Sequence, residues 1–423
     1  MLAPRLRILI SAYACGPERG SEPGVGWNWV SEIRHSYDVW VLAPESERGP
    51  IEAFLKRQTL ENVHFHFCDL PHWLIRKEYG LYHLHYRVWQ VLAYFAAKRL
   101  HREHDFQVAH HLTLGMHWAP SLLACLSIPF LWGPLGGGER APVLFHSSFS
   151  IRGRIYERVR DLARMIGELD PLVRLTARRA VLSLAKSAQT ASRVTALGAP
   201  AVIIFPEAAL PEDEIKRLGL LPPPRADRFR LLSLGRLLHW KGQELALRAF
   251  AQFHRDFPDS EYLLVGGGPE RPRLERLAQM LGVASSVIFF GQLKRNEALE
   301  KLAESTILVH PSLHDSGGWV CLEAMAAGRP VVCLDIGGPA LQVTPESGIK
   351  VPAISPSQAE RGLASAFARL AANHELVLRM GMAGKQHVEQ SFSWPAKSGS
   401  LCRLYRDAAR QRGVNRMQTG QNS

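Results

Sequence analysis

Three stretches in the second half of the chain combine cations, glycines and carboxylates in a way that suits a phosphorylated, polyhydroxylated ligand. The first is Ser233-Leu-Gly-Arg-Leu-Leu-His-Trp-Lys-Gly242. Gly235 frees the backbone, Arg236 offers a planar fork of donors and Lys241 a point charge, a set that matches a diphosphate. An amphipathic pattern with Leu245, Ala249, Phe250 and Phe253 follows, so the loop opens a helix whose N-terminal end adds positive potential. The second is Leu263-Leu-Val-Gly-Gly-Gly-Pro269. Gly266 and Gly267 permit close backbone approach to a ligand, but the run is not the Gly-x-Gly-x-x-Gly of dinucleotide oxidoreductases. The third runs from His310 to Val332. Asp315 lies in its loop, Ser316 is placed to cap a helix, and Gly317 and Gly318 expose amides at the helix start. The helix is expected from Trp319 to about Ala327, stopped by Gly328. Glu323 sits on it among Leu322, Ala324 and Met325, and Asp315 and Glu323 can each accept hydrogen bonds from a polyol. The plainer alternatives are a solvated Arg236 and Lys241, a surface Glu323, and an Asp315 that is itself a helix cap.

Strands that end at these loops are needed to position them. Short apolar runs alternate with helical patterns: 7–11, 39–42, 63–67, 108–112, 130–132 and 202–205, then 229–233, 262–265, 287–290, 307–310 and 331–333. Repeated strand–loop–helix order predicts α/β domains with parallel sheets, whose ligands sit at the carboxyl ends of the strands. The stretch from Pro206 to Arg228 carries five prolines and no sustained periodicity, which predicts a domain boundary. The expected divisions are 1–206, 207–390, a last helix at 391–410, and a polar, flexible tail at 411–423. Two basic segments interrupt the rhythm. Trp73 to Arg102 reads as a helix with its aromatics inward. Arg152 to Arg193 has ten Arg/Lys against four Asp/Glu and reads equally as a solvated helical surface or as one that docks on an anionic membrane.

The 423 residues, 46% hydrophobic and 21% charged, suffice for two or three domains with full cores. The formal charge of +12 fits nucleic acid, an anionic membrane or a polyanionic small molecule; the absence of zinc-finger spacing and RNA-binding signatures argues against nucleic acid. Six scattered cysteines without a Cys-x-x-Cys pair predict neither a disulfide framework nor a metal site. The opening Met1 to Cys15 reads as a first strand rather than a signal peptide. The longest stretch without charge, Phe106 to Gly138, is broken by histidines and prolines and reads as soluble structure. A cytoplasmic protein, peripheral on the inner membrane face at most, is the expectation.

Taken together, Gly235-Arg236…Lys241-Gly242, Val265-Gly-Gly-Gly-Pro269 and Pro311-Ser312…Asp315…Glu323-Ala-Met-Ala-Ala-Gly-Arg-Pro-Val-Val332 resemble the retaining glycosyltransferases of family 4. One departure is Asp315, where the family pattern has glutamate. The resemblance implies a GT-B architecture, two Rossmann-like domains with parallel sheets facing across a cleft. It implies transfer of a sugar from a nucleotide-sugar donor with retention of configuration, in polysaccharide or glycoconjugate synthesis. Arg236 and Lys241 would stabilise the leaving diphosphate, and Glu323 would bind the ribose. Asp315, Ser316, Gly317, Gly318, Gly235, Gly266 and Gly267 would line the donor site. In the first half, the loop with Gly20, Gly24 and Gly26 would approach donor phosphates and acceptor. The active-site histidine would be His110 or His111, with His110 favoured, and the Gly-rich Trp132 to Glu139 loop would line the acceptor cleft. The helix after Phe392-Ser-Trp394 would pack back on the first domain. The acceptor would be a sugar, a lipid-linked glycan or another glycan. No cofactor is implied, and no Asp-x-Asp occurs, so no metal is expected. A GT-B-like binding or scaffolding protein without turnover is the competing expectation.

Overall fold

The computed structural model describes residues 5–70 and 82–420. Part of the aromatic segment expected to be helical from Trp73, residues 71–81, lies outside the described residues; the helix itself is Tyr82–His104. The chain forms two compact units. The first holds 1–138, 161–207 and 397–423; the second holds 139–160 and 208–396. Residues 139–160, expected in the first domain, thus pack in the second unit, because Phe145 and Phe149 are buried in its core with Phe250 and Leu245.

The first unit is built on a seven-stranded sheet. Its strands are β1 (Arg7–Ala12), β2 (Asp38–Ala43), β3 (Val63–Phe67), β4 (Val108–Thr113), β5 (Phe130–Leu135), β6 (Ala180–Ala185) and β7 (Val202–Ile204), in the order β3-β2-β1-β4-β5-β6-β7. Every pairing is parallel. β4 and β5 are buried along their whole length, as expected of parallel strands covered on both faces. Trp89, Phe106, Phe130 and Trp132 fill the core on one side.

The second unit has a six-stranded sheet of β8 (Arg230–Leu234), β9 (Glu261–Val265), β10 (Val287–Gly291), β11 (Ile307–His310), β12 (Val331–Leu334) and β13 (Gly348–Val351), in the order β10-β9-β8-β11-β12-β13. It too is parallel throughout. Strand order reverses between β8 and β11, which opens a crevice at their carboxyl ends. The Arg236 loop leaves one side of that crevice and the Asp315 loop the other.

Two strands escaped the sequence reading. β6 follows Arg178-Arg179 and, apart from Val181, consists of Ala, Leu and Ser, residues without strong strand preference, inside a segment read as basic helix. β13 has four residues, one of them an exposed Lys350. The last helix, Trp394–Gly420, runs through most of the segment expected to be a flexible tail.

Candidate functional site

The second unit brings its three motifs together through backbone contacts that only glycine allows. Gly235 N donates to Val265 O at 2.9 Å and Leu237 N to Gly267 O at 2.9 Å, strapping the loops after β8 and β9. A Cβ on Gly266 would lie 1.9 Å from Gly235 O. Gly242 has φ +70°, and a Cβ there would lie 2.0 Å from Pro311 O. This close approach, with Leu313 N donating to Trp240 O at 2.8 Å, holds the short turn His239–Lys241 against the segment after β11.

Lys241 is thereby delivered to Asp315. Its Nζ lies 2.5 Å from Asp315 Oδ2, and His310 Nε2 is 3.1 Å from the same oxygen. Asp315 Oδ1 accepts from the amides of Gly317 and Gly318, each at 3.1 Å. Burial works to raise the Asp315 carboxyl, but the Lys241 charge and the His310 contact outweigh it and hold the group well below its ordinary value. Two expectations are corrected here. Ser316 does not cap the helix Trp319–Ala326, whose N-cap is Gly318 without a side-chain bond. Asp315 satisfies the Gly317 and Gly318 amides instead, so those donors already have a partner.

Glu323 is buried on that helix and is 2.6 Å from Arg295 Nη2, which also lies 2.5 Å from Glu214. Burial raises the Glu323 carboxyl and Arg295 offsets part of the rise. Arg295 gave no signal in the sequence; it lies outside every motif and meets Glu323 through the fold. Arg236 is different. It is exposed, and its guanidinium has no hydrogen-bond or ion-pair partner among the described residues. With Gly235, Gly266, Gly267, Gln292 and Leu293 it lines an open pocket of about 290 Å³. One side of the site therefore presents an unpaired cation over a glycine-walled pocket, and the other an internally neutralised Lys241–Asp315 pair.

A second group that the sequence did not reveal is Glu157. Its Oε1 lies 3.0 Å from both His239 Nε2 and His314 Nε2, residues of the two loops that carry Lys241 and Asp315. Burial opposes ionisation, but these two contacts, together with Arg160, keep Glu157 far below its ordinary value.

In the first unit, His110 is not free for chemistry. It is fully buried; its Nε2 is 2.6 Å from Gly133 O and its Nδ1 2.7 Å from Tyr405 Oη. Trp29 Nε1 donates to Tyr405 Oη at 2.8 Å. Because the indole can only donate and the carbonyl only accept, the chain of bonds runs one way: Trp29 to Tyr405 to His110 Nδ1, and His110 Nε2 to Gly133. Burial pushes His110 down to about 3 and His111 down to about 4, so both stand neutral. His111 is also buried, 3.3 Å from Tyr86 Oη. The Gly20–Gly26 stretch is likewise not an open loop. Gly20 is the N-cap of the helix Ser21–Ile33, which contains Gly24 and Gly26. A Cβ at Gly24 would meet Arg19 O at 2.1 Å, and one at Gly26 would meet Ala14 O at 2.4 Å, so these glycines allow backbone packing.

Residues 222–387 match the family model described as glycosyl transferases group 1. The chain is 31% identical over 189 residues to the D-inositol 3-phosphate glycosyltransferase of Corynebacterium glutamicum, a match covering 43% of this chain and 44% of that protein. It is 30% identical over 187 residues to the GDP-mannose-dependent alpha-(1-6)-phosphatidylinositol monomannoside mannosyltransferase of Mycolicibacterium smegmatis, covering 42% and 48%. The matched stretch thus spans under half the length of these relatives. In structure, the chain is similar over 95% of its length to 99% of a sucrose-phosphate synthase from Thermosynechococcus elongatus, with a TM-score of 0.63 at 20% identity. Residues 222–387 are thus similar to the glycosyl transferases group 1, and the two Rossmann-like parallel sheets of the chain match the GT-B fold.

Proposed function

We propose that the chain transfers a sugar from a nucleotide-sugar donor to a glycan or lipid-linked acceptor, with retention of configuration and without a metal, in polysaccharide or glycoconjugate synthesis. The observation that carries this is Arg236, a cation unpaired among the described residues, over a glycine-walled pocket at the carboxyl end of β8. As the bond between the sugar and the diphosphate breaks, negative charge builds on the leaving phosphate. Arg236 and Lys241 meet it, and preorganised charge of this kind is usually the largest contribution to such catalysis. Lys241 reaches the phosphate by leaving Asp315, whose carboxylate then accepts from a sugar hydroxyl. Glu323 accepts from the ribose once Arg295 turns aside. The mannosyltransferase named above, GDP-mannose-dependent by its name, supports the donor class.

Ligand-induced thermal stabilisation against UDP-, GDP-, ADP- and TDP-sugars tests the donor site. A donor that binds only the folded chain, at about 100 times its dissociation constant, stabilises by about 2.7 kcal/mol. One nucleotide is expected to respond, and the response to fall in Arg236→Ala and Lys241→Ala. A flat response to every donor sinks the proposal.

A further inference from the structure

The helix Ile151–Leu169 is built inside out. Its inward positions, Gly153, Glu157, Arg164 and Gly167, are small or charged, and all are buried. Each is committed to a contact. A Cβ on Gly153 would come within 2.9 Å of the His239 ring, and one on Gly167 within 2.7 Å of Trp118 Cβ. Glu157 holds His239 and His314, and Arg164 donates to Gly137 O at 2.9 Å. The outward face is apolar. Ile151, Ile155, Val159, Leu162, Ile166 and Leu169, spaced three or four apart and so on one side of the helix, are each between 52% and 71% exposed. A surface helix of a water-soluble protein carries these residues on the opposite face.

The charges around this stripe indicate what covers it. Arg152, Arg154 and Arg158 flank it and are exposed. The acids of the helix turn away from it. Glu157 is buried, Asp161 is paired with Arg164, and Glu168 is paired with His117 and Arg193. An apolar crest about 28 Å long with a cationic margin is the pattern of a helix that lies in the headgroup layer of a bilayer. We infer that this helix docks the protein on an anionic phospholipid surface, with the isoleucine–leucine crest in the acyl boundary and the arginines on the headgroup phosphates. A second copy of the chain fits less well, because two such faces brought together set arginine margins against each other without facing carboxylates.

Flotation with vesicles tests this without reference to any transferase activity. The wild-type chain is expected to float with vesicles of phosphatidylcholine and phosphatidylglycerol, weakly or not at all with phosphatidylcholine alone, and less as salt is raised. Ile155→Glu with Ile166→Glu, at exposed positions, is expected to keep the wild-type melting temperature and lose flotation. Replacing Arg152, Arg154 and Arg158 by Gln is expected to weaken binding to the anionic vesicles on the order of 10²-fold. The inference is overturned if the wild-type chain ignores anionic vesicles, or if both variants bind them as well as it does. It is also overturned if light scattering shows a dimer that the glutamate variant dissolves while vesicles bind neither form, which assigns the face to a second copy.

Discussion

Lys241 Nζ rests 2.5 Å from Asp315 Oδ2 across 74 residues of sequence. The cation proposed to meet the diphosphate thus already has a carboxylate partner within the chain, and stability and catalysis are separable at this pair. Lys241→Ala leaves Asp315 ionised and mostly buried with one countercharge gone, which costs about 3–5 kcal/mol in comparable pairs. The double variant Lys241→Ala with Asp315→Ala removes both charges and is expected to regain much of that loss in urea denaturation, while donor turnover stays low. Equal stability of the single and double variants would show that the pair is not coupled.

Among the described residues the Arg236 side chain has no partner, so Arg236→Ala is expected to leave the denaturation midpoint unchanged. Turnover is expected to fall on the order of 10²-fold, the usual cost of one lost charge-stabilising group in a transition state. Steady-state kinetics checks this; wild-type kcat in the variant would remove Arg236 from the reaction.

The fixed donor order from Trp29 through Tyr405 to His110 makes Tyr405→Phe informative. The variant strips an acceptor from the Trp29 indole and a donor from His110 Nδ1, and both groups are buried. A stability loss of about 1–3 kcal/mol is expected, with kcat per folded molecule unchanged. A kcat loss without a stability loss would restore His110 to the chemistry.

Stability is expected to fall on acidification. His110 and His111 titrate near their ordinary value of 6.5 when unfolded but at about 3 and about 4 when folded. Between those limits the unfolded chain binds protons that the folded chain excludes, so each histidine costs on the order of 1 kcal/mol per pH unit as pH falls. Asp315 and Glu157 are held below their ordinary values, so their contribution is present above the usual carboxylate range and is lost below it. Denaturant midpoints measured from about pH 7 to about pH 4 check the sum; a flat profile contradicts the burial assigned to these histidines.

Gly242→Ala probes how the site is assembled. Its Cβ would enter Pro311 O, and the residue stands at φ +70°. The expected result is loss of donor-induced stabilisation, because the Lys241 turn can no longer seat beside Asp315. Retained donor response would mean that the two loops are positioned independently.

What the sequence revealed of this protein follows from what is local. The apolar runs at 7–11 or 307–310 announce strands because both faces of a parallel sheet are covered, and Arg236, Lys241, Asp315 and Glu323 stand out by their spacing within single loops and helices. What it hid depends on distant partners. β6 carries helix-tolerant residues and becomes a strand through its neighbours β5 and β7. Glu157 lies in a basic stretch that read as surface, yet it bridges two loops about 80 and 160 residues further on. His110 and the Gly24–Gly26 pair were expected at a ligand because strand ends and glycines often are; Tyr405 and the backbone of Ala14 and Arg19 claim them instead.

The contact between His110 and Tyr405 also sets an order of events during synthesis. The two residues are 295 apart in the chain, so at about 5–20 residues per second the histidine waits roughly 15–60 s for its partner to be made. Through that interval the central strand of the first unit carries a polar ring without its tyrosine hydroxyl, and the second unit is completed first. His110 therefore reaches its final hydrogen bonding only after the second unit has been made, and a chain stopped before residue 405 would leave both His110 and Trp29 without their shared hydroxyl partner.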